Sequence, residues 1–259
     1  MPLSFYKKPA LIVYVTCGDP DLATTRAVVL AAIEAGADVI ELGVPFSDPV
    51  ADGPVIQRAS ERALKHGTSL GQVLTLAAEV RQQAQSTGLV VFSYLNPILR
   101  MGVEKFCMVA RHAGADGVLV TDLPVEEAGE YLRAIRTHDL APVFLAAPTS
   151  PDVRLKMIAE ASRGFVYAVS RTGVTGARQQ LADDAQKLVR RLRRVTKLPI
   201  AVGFGISSPK QFAEVGKFSD AVVVGSAIVE TIERNPGREA AAAGEFVKKL
   251  VSFQPSVVS

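Results

Sequence analysis

The sequence of 259 residues contains no tryptophan, only two cysteines and only three histidines. Cys17 and Cys107 provide neither a disulfide framework nor the paired spacing of a zinc site. The histidines, His66, His112 and His138, lie far apart in polar segments and indicate no ligand cluster. Aromatic residues make up 6% of the chain, which argues against a surface on which nucleic-acid bases stack. The composition therefore predicts no metal site and no nucleic-acid partner.

Long apolar runs are also missing from the sequence. No run approaches the roughly 20 residues that a membrane-spanning helix needs. The apolar run after Lys7 and Lys8 is too short for a secretory signal, and it ends in the turn Gly18-Asp19-Pro20. The net charge is +3, and the arginines between 190 and 194 have the spacing of a solvated helix face, with an acidic partner or nucleic acid as the alternative. We therefore expect a soluble, cytoplasmic protein without membrane contact.

One stretch, Val39–Pro54, joins a short apolar strand to a loop rich in glycine and proline. The strand contains the carboxylate of Glu41, and the loop contains that of Asp52. A carboxylate inside an apolar strand is costly unless it is paired or used, and polar loops after strands often carry catalytic groups. Burial should raise the pKa of Glu41, whereas Asp52 should stay ionised. The pair predicts acid–base chemistry; the alternative is that Glu41 pairs with a basic residue and the loop acids only form turns.

Short apolar runs alternate with helix-patterned segments along the whole chain. The predicted strands are Ala10–Thr16, Val39–Leu42, Leu89–Tyr94, Gly117–Thr121, Pro142–Ala146, Phe165–Ser170, Pro199–Val202 and Ala221–Val224. The predicted helices cover residues 22–35, 54–65, 70–86, 103–113, 124–138, 151–162, 179–196, 208–216, 226–234 and 238–252. Continuous apolar runs are typical of strands covered on both faces, and the repeated Ala-Gly-Ala-Asp at 35–38 and 113–116 marks helix-to-strand connections. The pattern predicts one (βα)8 barrel domain over residues 1–259 with extra helices, and an open doubly wound sheet is the alternative.

In a closed barrel the residues that follow the strands gather at one rim. The rim set comprises Glu41, Asp52, Tyr94, Asn96, Asp122, Tyr167, Arg171, Gly205 and Ser226. Glycine-rich turns at 173–176, 203–207 and 225–226 follow the last three strands, and Ser208 and Ser226 are expected to cap helices. Helix starts of this kind bind phosphate, so we expect a phosphate site, with tight turns alone as the alternative. Residues 171–180 have the composition of a lid, or otherwise of a surface loop.

Four motifs together resemble the tryptophan synthase α subunit family. They are ELGVPFSDP at 41–49, ADGP at 51–54, SRTGVTG at 170–176 and GFGI at 203–206. The resemblance runs from about Leu11 to the C-terminal helix. It implies a (βα)8 barrel lyase of tryptophan biosynthesis that cleaves indole-3-glycerol phosphate into indole and glyceraldehyde 3-phosphate. It also implies no cofactor in this chain and a β subunit partner that carries pyridoxal phosphate, in an α2β2 assembly.

The resemblance also implies roles for individual residues. Glu41 would be the acid–base catalyst that moves protons to indole C3 and from the glycerol hydroxyl. Asp52 would bind the indole N–H and stabilise positive charge, and Tyr167 would support Glu41. The other implied residues are Gly176, Gly205, Gly225 and Ser226 for phosphate, Tyr14, Phe92, Leu119 and Phe204 for the indole pocket, and Arg171 and Thr175 for the lid. Tyr14 and Phe92 stand where the family is expected to have Phe and Leu, and only about nine residues precede the first strand, where the family has a helix that plugs the barrel.

Two other functions remain open for the same fold. An epimerase or isomerase of sugar phosphates would share the phosphate turns, but the sequence has no clustered histidines for a metal. A non-catalytic barrel that only activates a partner would not need both Glu41 and Asp52. The partner itself is expected at the loop Pro45–Pro54, where Val44, Phe46 and Val50 are apolar; the alternative is that Phe46 turns into the barrel mouth.

Overall fold

The computed structural model of the chain describes residues 3, 5, 7–169, 178–203 and 205–252, and of residues 178–182 only the backbone. Within this part of the chain, nine parallel strands alternate with helices. The strands are β1 Ala10–Thr16, β2 Val39–Gly43, β3 Gly88–Ser93, β4 Gly117–Val120, β5 Ala141–Val143, β6 Leu145–Ala146, β7 Val166–Val169, β8 Ile200–Gly203 and β9 Ala221–Val224. The helices are α1 Leu22–Glu34, α2 Pro54–Lys65, α3 Leu70–Gln83, α4 Leu95–Met101, α5 Val103–His112, α6 Gly129–Thr137, α7 Asp152–Ala161, α8 Arg178–Leu192, α9 Pro209–Gly216, α10 Ser226–Glu233 and α11 Glu239–Val251.

The strands form a ring, which confirms the predicted barrel. Their order is β5-β4-β3-β2-β1-β9-β8-β7-β6, so β5 and β6 stand at the two ends of the sheet. Only Phe144 separates these two strands in the chain, and its carbonyl accepts a hydrogen bond of 3.1 Å from the Tyr167 N–H. The predicted strand 142–146 is thus divided because its first half pairs with β4 and its second half with β7. The chain itself closes the ring, which excludes the open sheet.

The predicted helices occur in the structure with two differences near β4. The predicted helix 124–138 is a 3-10 turn, Val125–Glu127, followed by α6. Helix α4 was not predicted, because it is short and contains Pro97. Pro97 is tolerated because it lies in the first turn, where a backbone N–H has no partner within the helix. The start of α4 is instead held by Asp122, whose carboxylate accepts a hydrogen bond of 2.7 Å from the Leu95 N–H.

The apolar residues of the strands separate into two layers. In β1, Leu11, Val13 and Val15 pack outward against the helices, whereas Ala10 and Ile12 point into the barrel. This alternation places both layers out of water, which explains the continuous apolar runs in the sequence. A polar residue at an inward-facing position of a strand therefore points into the barrel interior.

Residues near the N-terminus close the bottom of the barrel, which the resemblance assigns to a plugging helix in the family and for which this chain has only about nine residues before β1. Leu3 belongs to the inner apolar layer, and the ring of Phe5 lies 5.7 Å from that of Phe165. A Cβ atom on Gly117 would lie 2.9 Å from Leu3 Cδ1, so the absence of a side chain at Gly117 makes room for Leu3.

The repeated Ala-Gly-Ala-Asp segments have a physical role at the same end of the barrel. Asp38, before β2, accepts a hydrogen bond of 2.9 Å from the Leu11 N–H at the start of β1. Asp116, before β4, accepts one of 2.8 Å from the Leu89 N–H in β3. Each aspartate therefore fixes the register of its own strand against the preceding one.

Arg81 is the main partner of the buried Asp116. Its guanidinium donates a hydrogen bond of 2.7 Å to the Asp116 carboxylate and others to the carbonyls of Gly114, Ala84 and Thr87. Replacing Arg81 with methionine should lower the free energy of unfolding by about 3 kcal/mol, because it leaves a buried carboxylate without its cation. Urea unfolding at neutral pH measures this loss.

Arg190→Met is the matched control, because Arg190 lies on the exposed face of α8. It should change the free energy of unfolding by less than about 0.5 kcal/mol. Equal urea midpoints for the two variants would contradict the role given to Arg81.

Candidate active site

A cavity of about 410 Å³ opens at the carboxyl ends of the strands. Eight of the residues that the sequence predicted for the site line it: Tyr14, Glu41, Asp52, Phe92, Tyr167, Gly205, Gly225 and Ser226. Leu119 is fully buried in the inner apolar layer, against which Phe92 and Tyr167 pack, so it lies below the cavity wall. The predicted Arg171, Thr175, Gly176 and Phe204 lie outside the described residues.

Glu41 is the most unusual group in the cavity. It sits on the inner face of β2, directly across from Tyr14 on β1, with 0% of its surface exposed. Neither carboxyl oxygen has a hydrogen-bond partner among the described residues, so a structural ion pair with a basic residue is excluded there. Burial raises the pKa of Glu41 to about 8. At neutral pH this carboxyl group is therefore mostly protonated and able to donate a proton.

Asp52 lies across the cavity mouth in a different environment. Its backbone is fixed by Gln57 of α2, which donates a hydrogen bond of 2.9 Å to the Asp52 carbonyl. The Tyr94 hydroxyl accepts a hydrogen bond of 3.0 Å from the neighbouring Ala51 N–H. Partial burial raises the pKa of Asp52 to about 6, while a hydrogen bond from Tyr94 to the side chain opposes that rise. Asp52 is thus ionised at neutral pH, as expected, but it becomes protonated in much weaker acid than an exposed aspartate.

Two tyrosines flank the cavity in matching positions. Tyr14 on β1 lies over Gly43 of β2, and Tyr167 on β7 lies over Gly203 of β8. A Cβ atom on Gly43 would lie 2.6 Å from Tyr14 Cζ, and one on Gly203 would lie 2.6 Å from Tyr167 Cε1. No side chain therefore fits at either glycine while the rings stay in place. The sequence places both glycines in or beside turns but does not reveal their contact with the tyrosines, because each is two positions beyond the strand partner of its tyrosine and only the register shows it.

The two predicted aromatic residues of the indole pocket contact each other. The rings of Tyr14 and Phe92 meet edge to face, with centroids 5.0 Å apart and an interplanar angle of 74°. The Tyr14 hydroxyl lies 3.4 Å from Thr16 Oγ1. Burial raises the pKa of both Tyr14 and Tyr167, so both hydroxyls stay neutral. The expectation that Tyr167 supports Glu41 remains a prediction, because the two side chains share no hydrogen bond among the described contacts.

The ends of β8 and β9 form the glycine-rich corner of the cavity. Gly205 has a φ of +54°, a conformation that favours glycine. Ser208 caps α9, as predicted, and accepts a hydrogen bond of 3.3 Å from the Gln211 N–H. The prediction that Ser226 caps α10 is wrong: Gly225 is the N-cap, and its carbonyl already accepts a hydrogen bond of 2.9 Å from the Ile228 N–H. Ser226 is the first helical residue, so its backbone N–H belongs to the helix start that lines the cavity.

Two classes of site have no counterpart in the described part of the chain. No group of three or more histidine, cysteine, aspartate or glutamate side chains there is arranged to hold a metal ion. None of the helices described is both long enough and apolar enough to cross a bilayer. The cavity is thus built from two carboxylates of different pKa, two aromatic walls and a helix start, at the carboxyl end of a (βα)8 barrel. These features are those of a (βα)8 barrel enzyme whose cavity is suited to acid–base chemistry.

Comparison with known proteins identifies the family. The family model described as tryptophan synthase alpha chain matches residues 3–256. The alpha chain of Solibacter usitatus is 53% identical over 228 residues, which cover 88% of this chain and 85% of that protein. The alpha chain of Neisseria meningitidis serogroup B is 48% identical over 241 residues, which cover 93% and 92%.

Solved structures agree with this result. A chain of Mycobacterium tuberculosis tryptophan synthase superposes with a TM-score of 0.87 at 39% identity, covering 95% of this chain and 92% of that one. A chain of the Pyrococcus furiosus tryptophan synthase a2b2 complex superposes with a TM-score of 0.89 at 41% identity, covering 95% and 99%. The chain therefore belongs to the tryptophan synthase alpha chain family. This confirms the activity that the resemblance implied, that of a lyase of tryptophan biosynthesis which cleaves indole-3-glycerol phosphate.

Replacing Glu41 with glutamine should remove a pH dependence of stability. The pKa of Glu41 rises from 4.5 to about 8 on folding, so the folded protein keeps a proton that the unfolded chain releases in this window. The contribution of this proton to the free energy of unfolding is therefore fully present below about pH 4.5. Between about pH 4.5 and about pH 8 the free energy of unfolding falls by up to about 1.4 kcal/mol for each pH unit. Glutamine has no such proton to lose, so the variant should be the more stable protein at pH 8.

Urea unfolding at about pH 5 and about pH 8 measures this difference. Glu160→Gln, on the exposed face of α7, is the control and should follow the wild-type pH dependence. Parallel stability curves for Glu41→Gln and wild type would contradict the raised pKa.

Proposed function

We propose that Glu41 and Asp52 divide the proton chemistry of indole-3-glycerol phosphate cleavage between them. The observation that carries this proposal is the Glu41 carboxyl group, which is completely buried and has no partner among the described residues. Burying a carboxyl group without a hydrogen-bond partner lowers the free energy of unfolding, so its presence here favours a role in contact with a bound ligand. Because the pKa values of the two carboxyls are separated, to about 8 and about 6, one is protonated while the other is ionised near neutral pH.

The first step is proton transfer to the indole ring. Protonated Glu41 donates its proton to indole C3, and the positive charge that results is shared with the ring nitrogen. The Asp52 carboxylate accepts a hydrogen bond from the ring N–H and balances this charge. An ionised group held in a partly buried site stabilises such a charge more strongly than water does.

The second step breaks the carbon–carbon bond. The Glu41 carboxylate takes the proton of the hydroxyl group on the glycerol carbon attached to C3. The electrons of that O–H bond form the aldehyde C=O, and the electrons of the broken bond return to the ring and restore the neutral indole. Glyceraldehyde 3-phosphate leaves with the aldehyde, and Glu41 is protonated again. Atoms and charge balance with proton transfers alone, so the reaction needs no cofactor in this chain.

The two ends of the cavity suit the two ends of this substrate. Tyr14 and Phe92 offer an aromatic wall on which the indole ring packs. Gly225 and Ser226 present the start of α10, where backbone N–H groups and the helix dipole favour a phosphate. Gly205 lets the chain approach this anion closely. Gly176, Phe204, Leu119 and the lid residues Arg171 and Thr175 remain predictions for the same ligand.

The pH profile of indole release tests the division of roles. The rate requires ionised Asp52 and protonated Glu41, so kcat/KM should rise through about pH 6 and fall through about pH 8. Glu41→Gln should lower kcat by a factor of about 10³ or more, because it removes proton transfer and leaves the shape of the site intact. Glu160→Gln should keep wild-type turnover. Near-normal turnover of Glu41→Gln would overturn the assignment.

The loop between β2 and α2 supports a partner at the barrel rim. A groove of about 610 Å³ lies on its outer side, lined by Phe46–Val50 and by residues of α2. The apolar group offered there is Val50, which is 77% exposed. Val44 is buried and takes no part in this surface, whereas Phe46 is half-buried: it stacks on Tyr94 with ring centroids 4.8 Å apart and still lines the groove. The likeness to chains of an a2b2 complex supports a tryptophan synthase β subunit as the partner. Pyridoxal phosphate in that subunit is what the family resemblance implies and stays a prediction.

A chain of side-chain contacts leads from this groove to Asp52. Phe46 stacks on Tyr94, and the Tyr94 hydroxyl holds the Ala51 N–H next to Asp52. A partner that presses on Phe46 therefore changes the setting of a catalytic carboxylate, which is a coupling between two sites.

A charge placed in the groove tests the partner surface. Val50→Asp should weaken association with a β subunit by about tenfold or more, because it puts a carboxylate into an apolar contact, and it should leave indole release by the free chain within about twofold. Titration of the chain with the β subunit while indole release is followed measures both effects. Met108→Asp, a like change on the outer face of α5, is the control. Equal association of the two variants would place the interface elsewhere.

A further inference from the structure

Two helices of the barrel both begin at the cavity. Strand β2 is followed by α2 and α3 before the next strand, and β9 is followed by α10 and α11. Gly53, the N-cap of α2, and Gly225, the N-cap of α10, both line the cavity. One helix thus starts beside Asp52 and the other starts at the proposed phosphate site. A substrate that spans the cavity needs both helix starts at a fixed separation.

The middle of the two helices is packed together. Ala59 of α2 and Val229 of α10 are fully buried and form an apolar cluster with Tyr14. The fully buried part of the contact is small, because its side chains are alanine and valine, and the partly buried Val55 and Ile56 of α2 pack against it. It brings the helices close together but leaves their angle to be fixed by other contacts.

An ion-pair network fixes the far ends of the same helices. Arg62 of α2 donates two hydrogen bonds to Asp19, of 2.7 and 2.8 Å, and one of 2.7 Å to Glu233, the last residue of α10. Arg58 donates two more to Glu233, of 3.1 and 2.8 Å. Asp19, in the turn after β1, is only 3% exposed. A buried carboxylate that accepts two hydrogen bonds from one guanidinium holds that guanidinium in place more firmly than an exposed ion pair does. Arg62 therefore joins three elements: the β1–α1 turn, α2 and α10.

The orientation of α2 determines where Asp52 lies. Asp52 is two residues before Pro54, the first residue of the helix, and Gln57 of the first turn donates a hydrogen bond of 2.9 Å to the Asp52 carbonyl. A rotation of α2 about its contact with α10 therefore moves Asp52 relative to Gly225. Displacements of about 1 Å at a reacting group can cost about 100-fold in rate.

We infer that Arg62 is a positioning residue for the reaction: it locks α2 to α10 so that Asp52 and the phosphate site meet one substrate together. Arg62 does not line the cavity, and it acts through the backbone that carries Asp52. The inference rests on the proposed function, since it assumes that Asp52 and the start of α10 bind the same ligand. The network also explains why two charged side chains of α2 point to the end of α10.

The test compares Arg62→Met with Arg81→Met. Both remove an arginine that binds a buried aspartate, but Arg81 lies at the opposite end of the barrel. Arg62→Met should lower kcat for indole release by about tenfold or more, whereas Arg81→Met should stay within about twofold of wild type. Urea unfolding shows whether both variants are folded at the assay temperature. Glu233→Gln is a milder change that weakens only the ion pairs at the end of α10, and it should lower kcat about threefold. This variant replaces Arg62→Met in the test if Arg62→Met does not fold.

A double-mutant cycle with Asp52→Asn separates positioning from general weakening. In single-turnover measurements, Arg62→Met should lower the rate by less than about twofold once Asp52 is already replaced, because its effect passes through Asp52. Equal effects of Arg62→Met in the two backgrounds, or equal kcat values for Arg62→Met, Glu233→Gln and Arg81→Met, would overturn the inference alone. Failure of the wild-type chain to release indole or to bind glycerol phosphate would overturn the proposed function, and the inference with it.

Discussion

The burial of Glu41 is the constraint on which the site depends. A carboxyl group in the inner layer of a barrel loses its hydration, and among the described residues nothing replaces it. The fold tolerates this because the group can stay protonated, and the high pKa that results is what proton donation to a carbon atom requires. The same burial would be a defect at any other position of β2. It is useful here because Glu41 sits at the height where β2 ends and the cavity begins.

Much of the architecture could be predicted because it depends on local patterns. The eight apolar runs and the repeated helix stops indicated the barrel, and an isolated acid in an apolar strand indicated Glu41. The features that were missed are those created by distant contacts. Helix α4 starts on the carboxylate of Asp122, which is 27 residues away, and the fifth predicted strand is divided because its halves pair with different neighbours. No local propensity carries that information.

The site also has features that depend on distant contacts and that the sequence alone could not reveal. Glycine at 43 and 203 looked like part of a turn, but the structure shows that each makes room for a tyrosine of the adjacent strand. Ser226 has the chemistry of a helix cap, yet Gly225 caps the helix, because the helix begins at Ser226, one residue earlier than that assignment assumes. Asp52 was expected to stay ionised in its loop, and at neutral pH it does, but partial burial raises its pKa to about 6 although the hydrogen bond from Tyr94 opposes that rise. In each case the residue type was correctly singled out and its surroundings decided what it does.

Asp52 is consequently held from two directions, and this distinguishes it from Glu41. Glu41 is fixed by a strand in the middle of a closed ring, where movement would break the sheet. Asp52 lies in a loop between Tyr94, which stacks on Phe46 of the outer groove, and α2, which Arg62 ties to α10. Under the proposed division of roles, the residue fixed by the strand is the one that shuttles a proton over a fixed distance. The residue held by side chains is the one whose position a partner or a bound phosphate would change, and that change would leave the barrel intact.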